Sequence, residues 1–293
     1  MIATTGFFDG VHLGHRLVIE RLVSLAHARG DESLVVTFWP HPRAVLQDGA
    51  RELRLLNSLE EKKELLRALG VDRVEVLDFT RSFAALTAEQ YLREILRDRF
   101  GVTTLLMGYD NRLGSDRLTA ASLKPIADGM GMELIELSPL SFRPSEASGE
   151  ISSTQIRTAL ESGDIESAAE MLGYGYALKG VVVAGNRLGR TIGFPTANMK
   201  LYEPLKLVPG RGVYVVEAEV LGKKYRGMTN IGLRPTVGGS FTTIETHILD
   251  FDEDIYGLPL RITFLRRLRD EVHFPSLEAL KRQLEKDRDC CRE

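Results

Sequence analysis

His12 and His15 stand three residues apart in Gly6-Phe7-Phe8-Asp9-Gly10-Val11-His12-Leu13-Gly14-His15. That spacing sets two imidazoles on one side of an opening helical turn. Gly14 removes the side chain that would keep a phosphate from the backbone, and a helix N-terminus adds amides without helical partners, so the string reads as an anion site. On spacing alone, a pair of surface histidines beside a flexible turn stays open. Zinc is disfavoured, because no third and fourth ligand stand nearby. Asp9 can orient a histidine, help hold a hydrated magnesium ion, or cap the turn through Gly10.

A second string with phosphate chemistry runs Gly185-Asn186-Arg187-Leu188-Gly189-Arg190-Thr191-Ile192-Gly193-Phe194-Pro195-Thr196-Ala197-Asn198. Gly185, Gly189 and Gly193 make a backbone poor in side chains that can wrap phosphates, and the Thr196 hydroxyl can reach magnesium. The closing Gly-Lys-Ser/Thr of a Walker loop is absent, and an irregular β connection is the plain alternative. Further on, Thr242 to Ile248 has a strand pattern. If Ile244, Thr246 and Ile248 face one way, Glu245 and His247 face the other, toward a pocket or toward solvent.

These groups need elements to hold them. Short apolar runs at Ile2–Thr5, Leu34–Phe38, Val74–Leu77, Thr104–Met107 and Leu134–Leu137 alternate with helix-length amphipathic stretches, which predicts βαβ units and a mostly parallel sheet. Leu13–Ala28 closes at Gly30 and Leu59–Leu69 at Gly70. Thr87-Ala88-Glu89-Gln90 is a capping box for a helix ending near Phe100. Ser152-Ser153-Thr154-Gln155 opens another helix, which breaks at Gly163 before Asp164–Leu172. By itself that box is an N-cap signal. Ligand loops belong at the carboxyl ends of such strands. Asp110, Asn111 and Arg112 occupy that position after Met107, although Arg112 and Arg117 also read as solvated charges.

After Gly173 the texture changes to short Val- and Thr-rich runs with frequent Gly and Pro. Strands are expected at Lys179–Ala184, Gly212–Val220, Lys224–Asn230, Thr243–Phe251 and Leu260–Arg266, with a hairpin at Gly222 and a helix over Ser276–Lys286. The fold class is therefore α/β: a Rossmann-like parallel sheet with helices on both faces over residues 1–174, then an antiparallel β-barrel with a terminal helix over residues 175–293. A chain of 293 residues accommodates two such domains.

Composition is that of an ordinary globular protein, 43% apolar and 27% charged. The 41 acidic against 38 basic residues give a net charge of −3, which offers no attraction to a nucleic-acid polymer or an anionic membrane. No apolar run is long enough to span a bilayer, and the first residues lack a secretory signal, so a cytoplasmic protein is expected, monomeric or weakly self-associating. Cys290 and Cys291, adjacent in a charged tail, make neither a disulfide framework nor a four-ligand metal site. They read as an exposed reactive pair at a frayed end.

The histidine string resembles the nucleotidyltransferase superfamily, and more closely the FMN adenylyltransferase module of bacterial bifunctional riboflavin kinase/FAD synthetases. Ile151-Ser152-Ser153-Thr154-Gln155-Ile156-Arg157 is similar to the second motif of that module. The glycine-rich string through Asn198, Asn230-Ile231-Gly232-x-Arg234-Pro235-Thr236 and Glu245-Thr246-His247 resemble riboflavin kinases. The resemblance implies that His12, His15 and Arg157 stabilise ATP phosphates, with Gly6, Phe7, Asp9, Gly14, Asp110, Asn111, Arg112, Ser152, Ser153 and Thr154 around that nucleotide. In the other half it implies that Gly185, Gly189, Arg190, Gly193, Pro195 and Asn230 hold a second ATP. Thr196 and Asn198 would then bind Mg²⁺ and Glu245 would act as general base. Riboflavin and ATP would give FMN, and FMN and ATP would give FAD. Leu113 and Leu118 depart from the family's usual aromatic and glycine, which leaves flavin recruitment by that loop open. The alternatives are a kinase with an impaired adenylyltransferase module, adenylyl transfer to another small acceptor, or a flavin-binding sensor without catalysis.

Overall fold

A computed structural model describes residues 1–46, 53–108, 111–137, 151–185, 188–236 and 239–292. The chain forms two compact units, Met1–Ser153 and Thr154–Glu293. The first contains β1 (Ile2–Thr5), α1 (Leu13–Arg29), β2 (Ser33–Trp39), α2 (Pro42–Leu46), α3 (Leu59–Ala68), β3 (Arg73–Asp78), α4 (Arg81–Ala84), α5 (Ala88–Gln90), β4 (Thr104–Gly108), α6 (Ala120–Gly129) and β5 (Glu133–Leu137). The five strands form one parallel sheet in the order β3-β2-β1-β4-β5, as the strand signals predict.

Successive residues of the central strands bury on opposite faces. Ala3, Leu34, Val36, Leu105 and Met107 join one core cluster with Leu92, Leu96 and Leu123. Ile2, Val35 and Leu106 join another with Ile19, Leu22 and Leu66. Coverage on both faces is why these strands read as unbroken apolar runs. From β1 the chain winds outward to β2 and β3, then returns to β4 on the other side of β1. The strand order therefore reverses there, which opens a crevice at the carboxyl ends of β1 and β4. The histidine string leaves β1 at that point.

Helix ends follow their signals. Gly30 takes φ 68° and its amide donates to the Ala26 and His27 carbonyls. Both halves of the capping box form at Ser58/Glu61 and at Thr87/Gln90. Beyond Gln90 the helix continues as a π-helix over Tyr91–Arg99. Its first residue is buried and sits with its hydroxyl 2.8 Å from Thr5 Oγ1.

The second unit contains α7 (Ser153–Ser162, whose first residue belongs to the sheet unit), α8 (Ile165–Leu172), β6 (Ala177–Val183), α9 (Leu188–Thr191), β7 (Ala197–Leu201), β8 (Gly212–Val220), β9 (Lys223–Thr236), β10 (Gly239–Ile248), β11 (Pro259–Arg269) and α10 (Leu277–Arg292). The strands close into an antiparallel barrel, β10-β7-β6-β11-β8-β9. Leu221 and Gly222 both take positive φ, 52° and 73°, and so close the expected β8–β9 hairpin in two residues. α7 and α8 pack on the barrel: Gly210 N donates to Leu160 O at 2.8 Å, and Arg267 Nη1 donates to Ser162 O at 2.8 Å.

Two features differ from the sequence expectation. β7 is a strand, although Asn198 and Lys200 break its apolar pattern, because β6 and β10 hydrogen-bond to it on both sides. The cysteines are not a frayed exposed pair. α10 runs through both, and Cys291 is buried in a cluster with Val213, Met228 and Leu249. Arg269 pins this end of the helix through three hydrogen bonds to the buried Asp287 carboxylate at 2.7–3.2 Å, and Arg266 Nη2 donates to Cys290 O at 2.7 Å. Burial pushes the Cys291 thiol up to about 11.

Candidate active sites

In the sheet unit the turn between β1 and α1 is bent by positive φ at Phe8 (53°), Gly10 (85°) and Val11 (39°). His12 is the N-cap of α1, and the His12 and His15 rings stack with centroids 3.7 Å apart. A side chain at Gly14 would press on the His12 ring at 3.3 Å, so this glycine is what lets the imidazole lie across the first helical turn. Phe8 meets His15 edge-on at 5.3 Å. His15 Nδ1 is buried and has no hydrogen-bond partner among the described residues. Burial, then the charge of His12, then that of Lys62 hold His15 well below its usual 6.5. Two stacked imidazoles at a helix N-terminus, that of His15 held toward its neutral form, leave the place of an anion open beside them.

Asp9 is buried and its carboxylate accepts from the amides of Leu56 (3.0 and 3.3 Å) and Asn57 (3.4 Å). It ties the residues that lead into α3 onto the β1–α1 turn. Ser153 Oγ donates to Asp9 O at 3.0 Å, so the start of the second motif meets the first. Ser152 is partly exposed, Thr154 is exposed, and Arg157 follows Ser153 by four residues in α7, on the same helical face. Gly6 and Phe7 begin the turn, and the Phe7 ring lies 4.2 Å from that of His41. Asp110 lies outside the described residues. Asn111 donates its amide to Gly108 O at 3.1 Å, and Arg112 is exposed. Leu113 and Leu118 pair with each other as a β-bridge and pack against the core.

In the barrel unit, strand register brings three polar side chains together. Asn198 of β7, Glu245 of β10 and Asn230 of β9 are direct partners across adjacent strands. Residues in one such row share a face. Two cavities border Thr196, two residues before Asn198. The larger, about 590 Å³, is lined by Glu245, His247, Asn230, Thr196 and the stretch from Arg269 into α10. The smaller, about 350 Å³, is lined by Arg190, Pro195, Thr196 and the Phe251–Tyr256 segment. Thr196 borders both. A Cβ at Gly185 would overlap the Asn198 amide, and one at Gly189 would overlap the Phe194 carbonyl, so both glycines are needed for close approach. Gly193 takes φ 86°.

Both halves of the chain have counterparts among known proteins. Residues 1–155 match the family described as FAD synthetase, and residues 172–293 the family described as riboflavin kinase. Two curated relatives, from Listeria monocytogenes and Escherichia coli (strain K12), are each named bifunctional riboflavin kinase/FMN adenylyltransferase. They are both 38% identical to this chain, over 98% and 100% of it and 90% and 92% of their own lengths. The chain belongs to the bifunctional riboflavin kinase/FMN adenylyltransferase family. A crystal structure of a protein from Streptococcus pneumoniae, named macrolide-efflux protein, has TM-score 0.91 and 33% identity, and the match covers 100% of this chain and 93% of that one. Among the described residues of this family member no helix is long and apolar enough to cross a membrane.

Four groups in this riboflavin kinase/FMN adenylyltransferase family member take positions that motif reading leaves unassigned. Arg234 Nη2 donates to Glu245 Oε1 at 3.1 Å. His247 Nδ1 donates to Pro195 O at 2.8 Å and so fastens the residue before Thr196 to β10. A carbonyl only accepts, which fixes the proton on Nδ1, and burial keeps the ring neutral by lowering its pKa. Glu271 projects against Gly232 at the rim of the larger cavity. Lys62 lies in α3 beneath Phe7, with Nζ 3.5 Å from the ring centroid. Its signal was legible: Leu59, Lys62 and Leu66 share one face, which sets a lysine in an apolar stripe.

Proposed function

We propose that the barrel unit phosphorylates riboflavin and that the sheet unit adenylylates the FMN so formed. Membership in a bifunctional family supports both activities. The observation that carries the kinase reading is Thr196 at the junction of two cavities, beside a row containing Glu245. The larger cavity suits a flavin ring by volume and apolar lining, and the smaller suits the nucleotide.

In that reaction the riboflavin 5′-hydroxyl oxygen attacks the γ-phosphorus of ATP, Glu245 accepts the hydroxyl proton, and ADP leaves. Arg190, Gly185, Gly189 and Gly193 would cover the phosphates. A hard cation such as Mg²⁺ prefers oxygen donors. The Thr196 hydroxyl and the Asn198 amide oxygen fit that preference and would hold it, and when bound the ion offsets charge on the phosphates. Asn230 would contact the nucleotide or the acceptor from the same row.

In the sheet unit an FMN phosphate oxygen attacks the α-phosphorus of ATP and pyrophosphate leaves. The acceptor carries no proton that must be removed, so the site needs charge stabilisation and alignment rather than a base. His12, His15 and Arg157 would supply the stabilisation, with Ser152, Ser153, Thr154 and the 110–112 loop around the nucleotide. We assign the functional boundary at 174/175, with α7 belonging to the adenylyltransferase module because its first turn carries the second phosphate motif. The reading also takes the protein as a cytoplasmic monomer or weak homo-oligomer that binds small molecules and no nucleic acid.

The test is a time course with riboflavin, ATP and Mg²⁺, resolved by chromatography. FMN first and FAD later are expected. FMN without FAD, even when FMN is supplied, would confine catalysis to the barrel unit.

A further inference from the structure

Lys62 is fully buried on α3. Its described side-chain contacts are aromatic faces and a hydroxyl: Nζ sits 3.5 Å from the Phe7 ring centroid and 5.9 Å from that of Trp39, and donates to Thr37 Oγ1 at 3.3 Å. Thr37 Oγ1 in turn donates to Phe7 O at 3.1 Å. Phe7 is thereby held at both ring and carbonyl, immediately before the positive-φ residues that aim His12 and His15.

Burying an ammonium group costs stability unless its surroundings compensate, and a leucine or methionine at this phase of α3 would bury without that cost. A buried charge kept where packing does not require it, directly behind an anion-binding turn, marks a functional site rather than a structural one. We propose that Lys62 is a positioning residue for adenylyl transfer. Its ammonium group fixes Phe7, and with it the turn that presents His12 and His15, and it backs the two imidazoles with positive charge for the phosphates. This rests on the reading of the sheet unit as an adenylyltransferase.

The charged and titratable groups facing Lys62 are Asp9 on the turn, which favours the ammonium form, and His15 on α1, whose protonation Lys62 opposes. His41 lies at 4.2 Å from the same Phe7 ring. Burial outweighs Asp9 and brings Lys62 down to about 7. Wild-type kcat/KM for ATP in FAD formation should therefore fall as pH rises through about 7, because the charged lysine is the competent form.

The experiment compares Lys62→Met with wild type in the full chain across that range, with riboflavin phosphorylation by the same preparation as control. The expected result is a loss of at least about tenfold in FAD formation at the acid end, disappearance of the Lys62 limb, melting no lower than wild type and unchanged phosphorylation. Equal kcat/KM in the two proteins, or a loss that leaves the pH limb intact, overturns the proposal. Should Lys62→Met unfold the sheet unit, Thr37→Val decides, since it removes the hydroxyl between Nζ and the Phe7 carbonyl. Reduced FAD formation at unchanged melting supports the proposal, and unchanged FAD formation overturns it. If the wild-type chain makes no FAD, the underlying reading fails and takes the proposal with it.

Discussion

At the scale of the residue, the two reactions ask different things of their side chains. A hydroxyl acceptor must lose a proton and a phosphate acceptor need not, so only the barrel unit requires a base. Glu245→Gln keeps the size and the contact with Arg234 while removing the basic oxygen. Riboflavin phosphorylation should fall by about 10² to 10⁴, and FAD formation from supplied FMN should be unchanged, both readable by chromatography. His15 leads to a stability prediction. Its folded pKa is well below the 6.5 expected of the unfolded chain, so between those values the unfolded state binds a proton that the folded state refuses. Stability contributed by neutral His15 is present above 6.5 and is lost as pH falls below it. Melting of the sheet unit followed from pH 6.5 down to about pH 5 should show this slope, and His15→Asn should flatten it.

At the scale of the element, α10 shows how a surface-looking sequence becomes part of a core. Its charged residues conceal one buried acid, Asp287, which accepts from Arg269 and from Gln283 Nε2 at 2.8 Å. Asp287→Ala removes the carboxylate that partners the largely buried Arg269 guanidinium and should cost about 3 kcal/mol in denaturant unfolding. The same clamp protects one thiol of an adjacent pair. With iodoacetamide near pH 8, Cys290 should alkylate well before Cys291, whose thiol is buried and pushed up to about 11. Releasing the clamp through Asp287→Ala should bring the two rates together. The strand β7 makes the complementary point: its pattern carries no strand signal, and it is extended because β6 and β10 leave it no other way to satisfy its backbone.

At the scale of the whole molecule, the chain is two compact units, and α7 and α8 pack with the barrel of the second. A fragment of residues 154–293 keeps the bonds from Leu160 O and Ser162 O to the barrel, while one of residues 172–293 loses them. The longer fragment should therefore melt higher and phosphorylate riboflavin, as read by calorimetry and by FMN formation. The sequence by itself determined the two-part architecture, the five parallel strands, the helix ends and the two glycine-bearing family motifs. Each of these is written in local terms: apolar period, capping residues, glycines at fixed spacing. Tertiary structure decided what no local signal contains. Cross-strand register set Asn198, Glu245 and Asn230 in one row although 47 and 15 residues of chain separate Glu245 from its two partners. Burial turned Lys62 from one more helical charge into a cation beneath Phe7, and Cys291 from a tail thiol into a core residue. Register and burial are sums over distant segments, so they exist only once the chain has closed on itself.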